Sequence, residues 1–509
     1  MTRLLGLDLG TTGAKAVVID ETGKVVSRAT EEYPLIVPKP GWSEQDAGEW
    51  WKASSNAIRR ATELAGIDAD DVEGVGLTGQ MHGLVLLDGA GGVLRNPILW
   101  NDQRTAEQCA WITGKLGGER EVIRLTCNPV LAGFTAPKLI WVRQNEPSIY
   151  SHVRKMLLPK DFIRFKLTGD CATEVSDASG TSLFDVRKRN WSHEVLEGLD
   201  IASDKVPDVH ESTVITGEIS SEASNETGLR RGTPVVGGGG DQAAGAVGNG
   251  IVRPGVVSAT IGTSGVVFAH SDEVKVDPEG RLHTFCHAVP GKWHLMGVML
   301  SAGGSLRWFR DKLGSLEVEA AKERSIDPYD LLASEASKVP AGSEGLLFLP
   351  YLSGERTPHK DPDARGVFFG LSLRTDKGHL VRSIMEGVAF GMRDSLEIMK
   401  NMGVPIAQVR ASGGGARSGL WCQIQSDIYG TELYRMATEE GPAFGSALIA
   451  GVGVGTYSSV EAACDKAVRT SASVKPDPGN VKLYDRYYKM YTNLYQSLKT
   501  DFKELAKFA

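Results

Sequence analysis

Two carboxylates stand where phosphate chemistry would use them. Asp8 follows the apolar run Leu4-Leu5-Gly6-Leu7 and opens the loop Asp8-Leu9-Gly10-Thr11-Thr12-Gly13. Asp241 follows four consecutive glycines, Gly237 to Gly240, and leads into the small-residue run Gln242-Ala243-Ala244-Gly245-Ala246. A carboxylate on an exposed turn at the head of a helix can take a proton from a substrate hydroxyl, which is the part of the base in phosphoryl transfer. The same placement suits a helix N-cap, for which Asp is a favoured residue, and the local sequence fits both roles equally.

The Asp8 loop has a counterpart half a chain later. Val256-Val257-Ser258-Ala259 feeds into Thr260-Ile261-Gly262-Thr263-Ser264-Gly265, and a β-branched run follows each loop, Val17-Val18-Ile19 and Val266-Val267-Phe268. Each reads as strand, tight turn, strand, with backbone N–H groups and hydroxyls turned toward an anion. A matched pair predicts two similar domains with a nucleotide's phosphates gripped between them. The copies differ in charge, because Thr260 stands where the first has Asp8. One carboxylate can hold a metal ion beside phosphates, whereas a second would repel them. A later glycine run, Ser412-Gly413-Gly414-Gly415-Ala416-Arg417-Ser418, offers further exposed backbone for an adenine or a phosphate.

The elements that must position these groups follow from the flanking pattern. Asp46 reads as the N-cap of a helix from about Ala47 to Ala65. Val72 to Thr78 reads as a buried strand ending at Gly79, Leu84 to Asp88 as another strand, and residues 235–248 as a strand, a turn and a helix leading into the second half. Another helix starts at Gly441, and a helical tail from about Asn480 is charged enough to lie on the surface. Strands interleaved with helices make the chain α/β, with sites where strands run into loops. At 509 residues it exceeds one hydrophobic core, and the division predicted is 1–247 and 248–509.

Composition excludes several classes. A net charge of −7 and the lack of a basic stripe argue against a nucleic-acid binder. The six cysteines have no CxxC spacing and read as reduced core thiols. No apolar stretch reaches the ~20 residues of a membrane span, and Met1-Thr2-Arg3 leads straight into a strand, so the expected location is the cytosol. GxxxxGK[ST] does not occur, which removes the P-loop reading, and the opening loop lacks a GxGxxG with an acidic residue ~20 positions on, which weakens a dinucleotide reading.

Taken together, the motifs resemble those of the FGGY carbohydrate kinases over essentially the whole chain. The residues that carry this are the two loops, Gly79-Gln80-Met81-His82-Gly83, Gly238-Gly239-Gly240-Asp241 and Gly413 to Ser418, with family signatures at Gly133 to Trp141 and Gly366 to Leu371. The resemblance implies two ribonuclease-H-like domains of the actin and hexokinase superfamily with a ligand cleft between them, closing on ATP and Mg²⁺. It implies Asp241 as catalytic base, and Asp8 as the carboxylate for metal and phosphate. Met81, His82, Trp100 and Gln242 match sugar contacts; Thr11, Thr12, Gly262, Thr263, Gly303, Gly414 and Ser418 match nucleotide contacts. Where glycerol-specific members carry an Arg-Glu pair and a tyrosine, this chain has Met81-His82 and Gly133, which makes room for a longer neutral sugar such as a five-carbon ketose. Family members are often homodimers, so a homodimer is expected.

Other readings stay open. Met81 and Trp100 also suit plain core positions, and His82 a structural histidine. Lys15, Arg104 and Arg417 read as solvated bases, and Glu355-Arg356-Thr357-Pro358-His359 as an ion-pair loop between domains. An actin-like ATPase would share both loops but lack a sugar pocket; a silent sugar sensor would lack Asp241.

Overall fold

The computed structural model describes residues 2–438 and 440–508. Each Gly-Thr loop is the turn of an antiparallel hairpin. In the first half, β1 (Arg3–Leu9) pairs with β2 (Gly13–Asp20), β3 (Val25–Glu32) extends that edge, and β4 (Val72–Gly79) runs parallel to β1, with β5 (Pro234–Val236) beyond it. The second sheet is built from β6 (Gly255–Ile261), β7 (Gly265–Ser271), β8 (Trp293–Met299), β9 (Ile406–Ser412) and β10 (Leu433–Met436). The strand orders are β5-β4-β1-β2-β3 and β8-β7-β6-β9-β10. Both therefore run third, second, first, fourth, fifth, with the first pair antiparallel and the fourth strand parallel to the first. This is the paired, ribonuclease-H-like α/β arrangement expected from the motifs.

Packing divides the chain differently from a single cut at 247/248. One compact unit comprises Met1–Arg253, His270–His294 and Glu440–Val468; the other comprises Pro254–Ala269, Leu295–Glu439 and Arg469–Ala509. The physical reason lies in the helix Gly441–Gly453. Ala443, Phe444, Ala447, Leu448, Ile449 and Ala450 are all buried, and a helix apolar on every side needs cover on every side. It finds that cover in a core with Leu4, Val17, Ile19, Val236, Ala244 and Val247 of the first unit. On the opposite face of the same sheet, Leu5, Leu7 and Val18 pack against Trp50, Ala57, Ile58 and Ala61. Those four lie on the helix Ala47–Ala65, where the Asp46 carboxylate caps by accepting the Gly48 N–H at 2.7 Å. Alternate residues of β1 and β2 thus serve two cores, which is why these strands read as near-continuous apolar runs.

In the second unit the helix Pro478–Leu505 is more than a charged surface tail. It buries Tyr484, Tyr491, Leu494, Tyr495 and Phe502 along one stripe, and the Tyr491 hydroxyl lies 2.9 Å from that of Tyr351. The charge that suggested exposure occupies only its outer face. None of the six cysteines is in a disulfide, and four of them are buried. Among the described residues no helix is long and apolar enough to cross a membrane.

The register of the first sheet brings the two carboxylates together. Thr78 of β4 pairs with Asp8 on one side and with Gly239 on the other, in a short strand Gly239–Gly240 that ends where the helix Asp241–Gly248 begins. Gly238 makes the turn into it with φ 77°; a Cβ there would lie 2.0 Å from the Leu77 carbonyl oxygen. Asp8 and Asp241 consequently emerge at the same end of the sheet.

Candidate active site

Asp241 is the first residue of its helix, and Gly240 occupies the N-cap position without any side-chain cap. Asp241 therefore opens the helix rather than capping it, and the neighbouring Gln242 amides favour its ionised form. Burial pushes its pKa up to about 6, against the pull of those two amides. Asp8 is raised to about 7, first by burial and then by the neighbouring charge of Asp241, with Lys15 acting the other way. Its Oδ1 is buried and has no hydrogen-bond partner, and neither has the Thr78 hydroxyl beside it. A half-buried carboxylate with an unpaired oxygen suits a cation shared with phosphate oxygens. Among the described residues no three His, Cys, Asp or Glu side chains converge on one point. A divalent ion here would therefore take most of its ligands from phosphate and water, as Mg²⁺ does.

The first Gly-Thr loop is braced by side chains. Tyr33 donates its hydroxyl to the Gly10 carbonyl, and Gln45 donates its amide to the Thr11 carbonyl at 2.7 Å. Gln45 is itself fixed, since its Oε1 accepts from Trp50 and from Gln80, each at 3.0 Å. The Trp100 indole N–H donates to the Thr11 hydroxyl at 3.0 Å. Trp100 is 39 % exposed, which removes it from the core and leaves a flat apolar face open beside the loop. Thr12 is exposed, and its carbonyl accepts the Tyr33 N–H.

Met81 and His82 sit beside the base. Met81 is buried against Gly240. His82 has φ 70°, an uncommon conformation that three contacts secure. Its carbonyl accepts the Thr135 hydroxyl at 3.1 Å and the Lys138 ammonium at 2.8 Å, while its ring stacks on Phe134 with centroids 4.6 Å apart. The ring Nδ1 lies 2.8 Å from the Gly180 carbonyl, which can only accept, so Nδ1 carries a proton. Burial lowers the Lys138 pKa to about 7. Lys138 and Phe134 belong to the Gly133–Trp141 signature, but a sequence gives no sign that a lysine there points inward to a backbone carbonyl.

Five of the predicted nucleotide residues line one cavity in the second unit. Gly262, Thr263, Gly303, Gly414 and Ser418 surround about 260 Å³, with Arg307, Tyr329, Arg417 and Trp421 completing the wall. The Gly262 carbonyl accepts from Gly303 N at 2.9 Å, and the Thr263 carbonyl from Ala302 N and Gly304 N, each at 3.0 Å. The helix Gly303–Leu313 thereby starts at the cavity, where its N-terminal dipole favours an anion. Ser418 also caps the helix Gly419–Tyr429 by accepting the Trp421 N–H. Glu355 supports the approach to Gly303, because its Oε1 accepts the N–H groups of Leu300 and Arg356 at 3.0 and 2.7 Å.

Of the bases read as solvated, Arg104 is buried in ion pairs with Asp102 and Glu44 over the Trp42 ring, a structural role. Lys15 and Arg28 both pair with Glu440. Arg417 joins the cavity wall, a place its run of three glycines already hinted at.

Two family models cover nearly all of this architecture: the N-terminal domain of the FGGY family of carbohydrate kinases over residues 3–248, and its C-terminal domain over 257–454. The chain belongs to the FGGY family of carbohydrate kinases. It is 38% identical over 499 residues to a protein named xylulose kinase from Bacillus subtilis (strain 168), covering 98% of both chains. It is 40% identical over 495 residues to one from Escherichia coli (strain K12), covering 97% of this chain and 99% of that one. A crystal structure described as a xyloylose kinase from Brucella ovis superposes with a TM-score of 0.89 at 38% identity, over 98% of this chain and 99% of the other. As a member of this FGGY family, the protein is a carbohydrate kinase.

Proposed function

We propose that this kinase transfers the terminal phosphate of ATP to the C5 hydroxyl of D-xylulose, giving D-xylulose 5-phosphate in pentose breakdown. The observation that carries the reading is Asp241, a helix-opening carboxylate poised near neutrality beside Asp8. The xylulose kinases to which the chain is similar over almost its full length supply the sugar.

In this reading Asp241 accepts the proton of the C5 hydroxyl as its oxygen bonds to the terminal phosphorus. The bond from that phosphorus to the bridging oxygen breaks, and ADP leaves. Mg²⁺, when bound, neutralises and orients the phosphates. Asp8, through its unpaired Oδ1, is the residue to hold it. Thr11 and Thr12 of the first unit serve the phosphates, and Gly262, Thr263, Gly303, Gly414 and Ser418 of the second hold the nucleotide. Trp100 gives the sugar chain an apolar face, His82 presents Nε2 to a hydroxyl, Met81 supports the ring of contacts, and Gln242 favours the ionised base while contacting the sugar. The same reading includes a cytosolic homodimer.

The test is ADP release measured against D-xylulose, D-ribulose, L-ribulose, glycerol and no sugar. D-xylulose should give the highest kcat/KM and glycerol almost none. A higher value for L-ribulose or glycerol overturns the sugar, and equal turnover without sugar overturns the kinase chemistry assigned to this site.

A further inference from the structure

Beneath the catalytic turn, four donors converge on one buried carboxylate. Glu174 Oε2 accepts the Ser176 N–H at 2.7 Å and the Ser212 hydroxyl at 2.9 Å. Its Oε1 accepts the Ser176 hydroxyl and the Asp177 N–H, each at 2.8 Å. Glu174, Ser176 and Ser212 are all fully buried. The Ser176 oxygen, having given its proton to Glu174, accepts the N–H of Gly240 at 3.1 Å. Gly240 is the residue before Asp241.

This matters because the run Gly237 to Gly240 has no side chains with which to pack. Only its backbone groups can hold it in place. Gly237 N and Gly238 N donate to the carbonyls of Val214 and Ser212, each at 2.9 Å, and Lys160 reaches the Gly237 carbonyl at 3.4 Å. At the end nearest the base, the Ser176 hydroxyl is the side chain that holds the Gly240 N–H. Its lone pair is aimed because Glu174 fixes the direction of its proton.

We infer that Ser176, aimed by Glu174, is a positioning residue for Asp241: it fixes the peptide from which the base projects. The inference rests on the reading of Asp241 as base. Glu174 also caps the short helix Val175–Ala178, so a purely structural role has to be separated from this one.

A double-mutant cycle separates them. ADP release with D-xylulose and ATP is measured for the wild type, Ser176→Ala, Asp241→Asn and the double variant, with unfolding temperatures alongside. Ser176→Ala should lower kcat about 10–100-fold, the scale of a misplaced reacting group, while KM for ATP changes less than about twofold. In the Asp241→Asn background the same change should cost less than about twofold, because the group it positions is already disabled. Ser212→Ala removes a hydrogen bond from the same carboxylate but none from Gly240; it should lower the unfolding temperature and show no such coupling. If Ser176→Ala does not fold, Ser176→Cys keeps a weaker acceptor at the same position, in a slightly larger side chain, and should show a smaller loss of kcat with the same coupling. Wild-type kcat in the folded Ser176 variant, or equal losses in both backgrounds, overturns the inference and leaves Asp241 as base. Wild-type turnover in Asp241→Asn overturns the base reading, and the inference with it.

Discussion

The two Gly-Thr hairpins share a backbone plan and treat the same position in opposite ways. In the first, Asp8 stands two residues before Gly10 and pairs across the sheet with Thr78; in the second, Thr260 stands two residues before Gly262 and pairs with Ser412. Thr260 and Ser412 satisfy each other, hydroxyl to hydroxyl at 2.8 Å. Asp8 Oδ1 and the Thr78 hydroxyl are left buried and unpaired. An unpaired buried polar atom costs about 1–3 kcal/mol, so the first hairpin carries a local penalty that its twin avoids. The lesson is that a repeated motif specifies the turn, while the neighbour across the sheet decides whether it is an inert joint or a reactive one. The supports differ too. Side chains of Tyr33, Gln45 and Trp100 hold the first loop, and main-chain N–H groups of Ala302, Gly303 and Gly304 hold the second.

The largest effect expected from this contrast is at Asp8. Asp8→Asn keeps the shape and removes the charge, and kcat should fall about 10²–10³-fold, with part of the loss recovered at high magnesium. Steady-state rates across a magnesium series check this; a loss below tenfold, or no magnesium response, would remove Asp8 from the metal role.

Acidity should act next. Asp241 must be ionised to accept a proton, and its pKa is raised to about 6, with Asp8 at about 7. As pH falls through this window first Asp8 and then Asp241 loses its charge, so kcat/KM should be highest above pH 7, fall about tenfold per pH unit between about 7 and 6, and about a hundredfold per unit below about 6. A pH–rate profile flat between 5 and 8 contradicts this assignment.

Making the second hairpin resemble the first is the third test. Thr260→Asp sets a carboxylate beside Ser412 at the nucleotide loop, where it should repel phosphates and raise KM for ATP about tenfold while sugar affinity is kept. Isothermal titration with ATP and with D-xylulose reads the two affinities separately, and tighter ATP binding would show that the hairpins are interchangeable.

The smallest effect concerns the braces. Trp100→Phe retains the flat face and removes the N–H that reaches Thr11, so a two- to fivefold fall in kcat/KM is expected, about the worth of one neutral hydrogen bond. If Trp100→Phe equals Trp100→Ala, stacking against the ligand is not what this side chain provides.

Much of this was legible in the sequence. Both hairpins, the Asp46-capped helix and the helix that Asp241 opens all follow from residue types with strong local preferences. What stayed hidden depends on partners far along the chain. The Gln45 amide that seats Thr11, the Ser176 hydroxyl under Gly240 and the inward-pointing Lys138 are buried polar residues each of which meets a backbone group more than thirty residues away. No periodicity announces such pairs. The N-cap reading of Asp241 could be settled only by seeing Gly240 take that position, a matter of one residue. The division into halves followed the loops and could not register that Gly441–Gly453 completes a core begun at Leu4.

That helix has a consequence for how the chain is made. During synthesis the apolar faces of Leu4, Val17 and Ile19 emerge early, but the segment that covers them leaves the ribosome only after nearly the whole of the other unit. At about 5–20 residues per second, the roughly 420 residues between Ile19 and Gly441 make the gap about 20–80 s. Through that interval the nascent amino-terminal half presents an uncovered sheet face, and a chain released at residue 253 never covers it. Such a fragment should precipitate or remain on chaperones, and supplying residues 440–468 as a separate peptide should return it to solution.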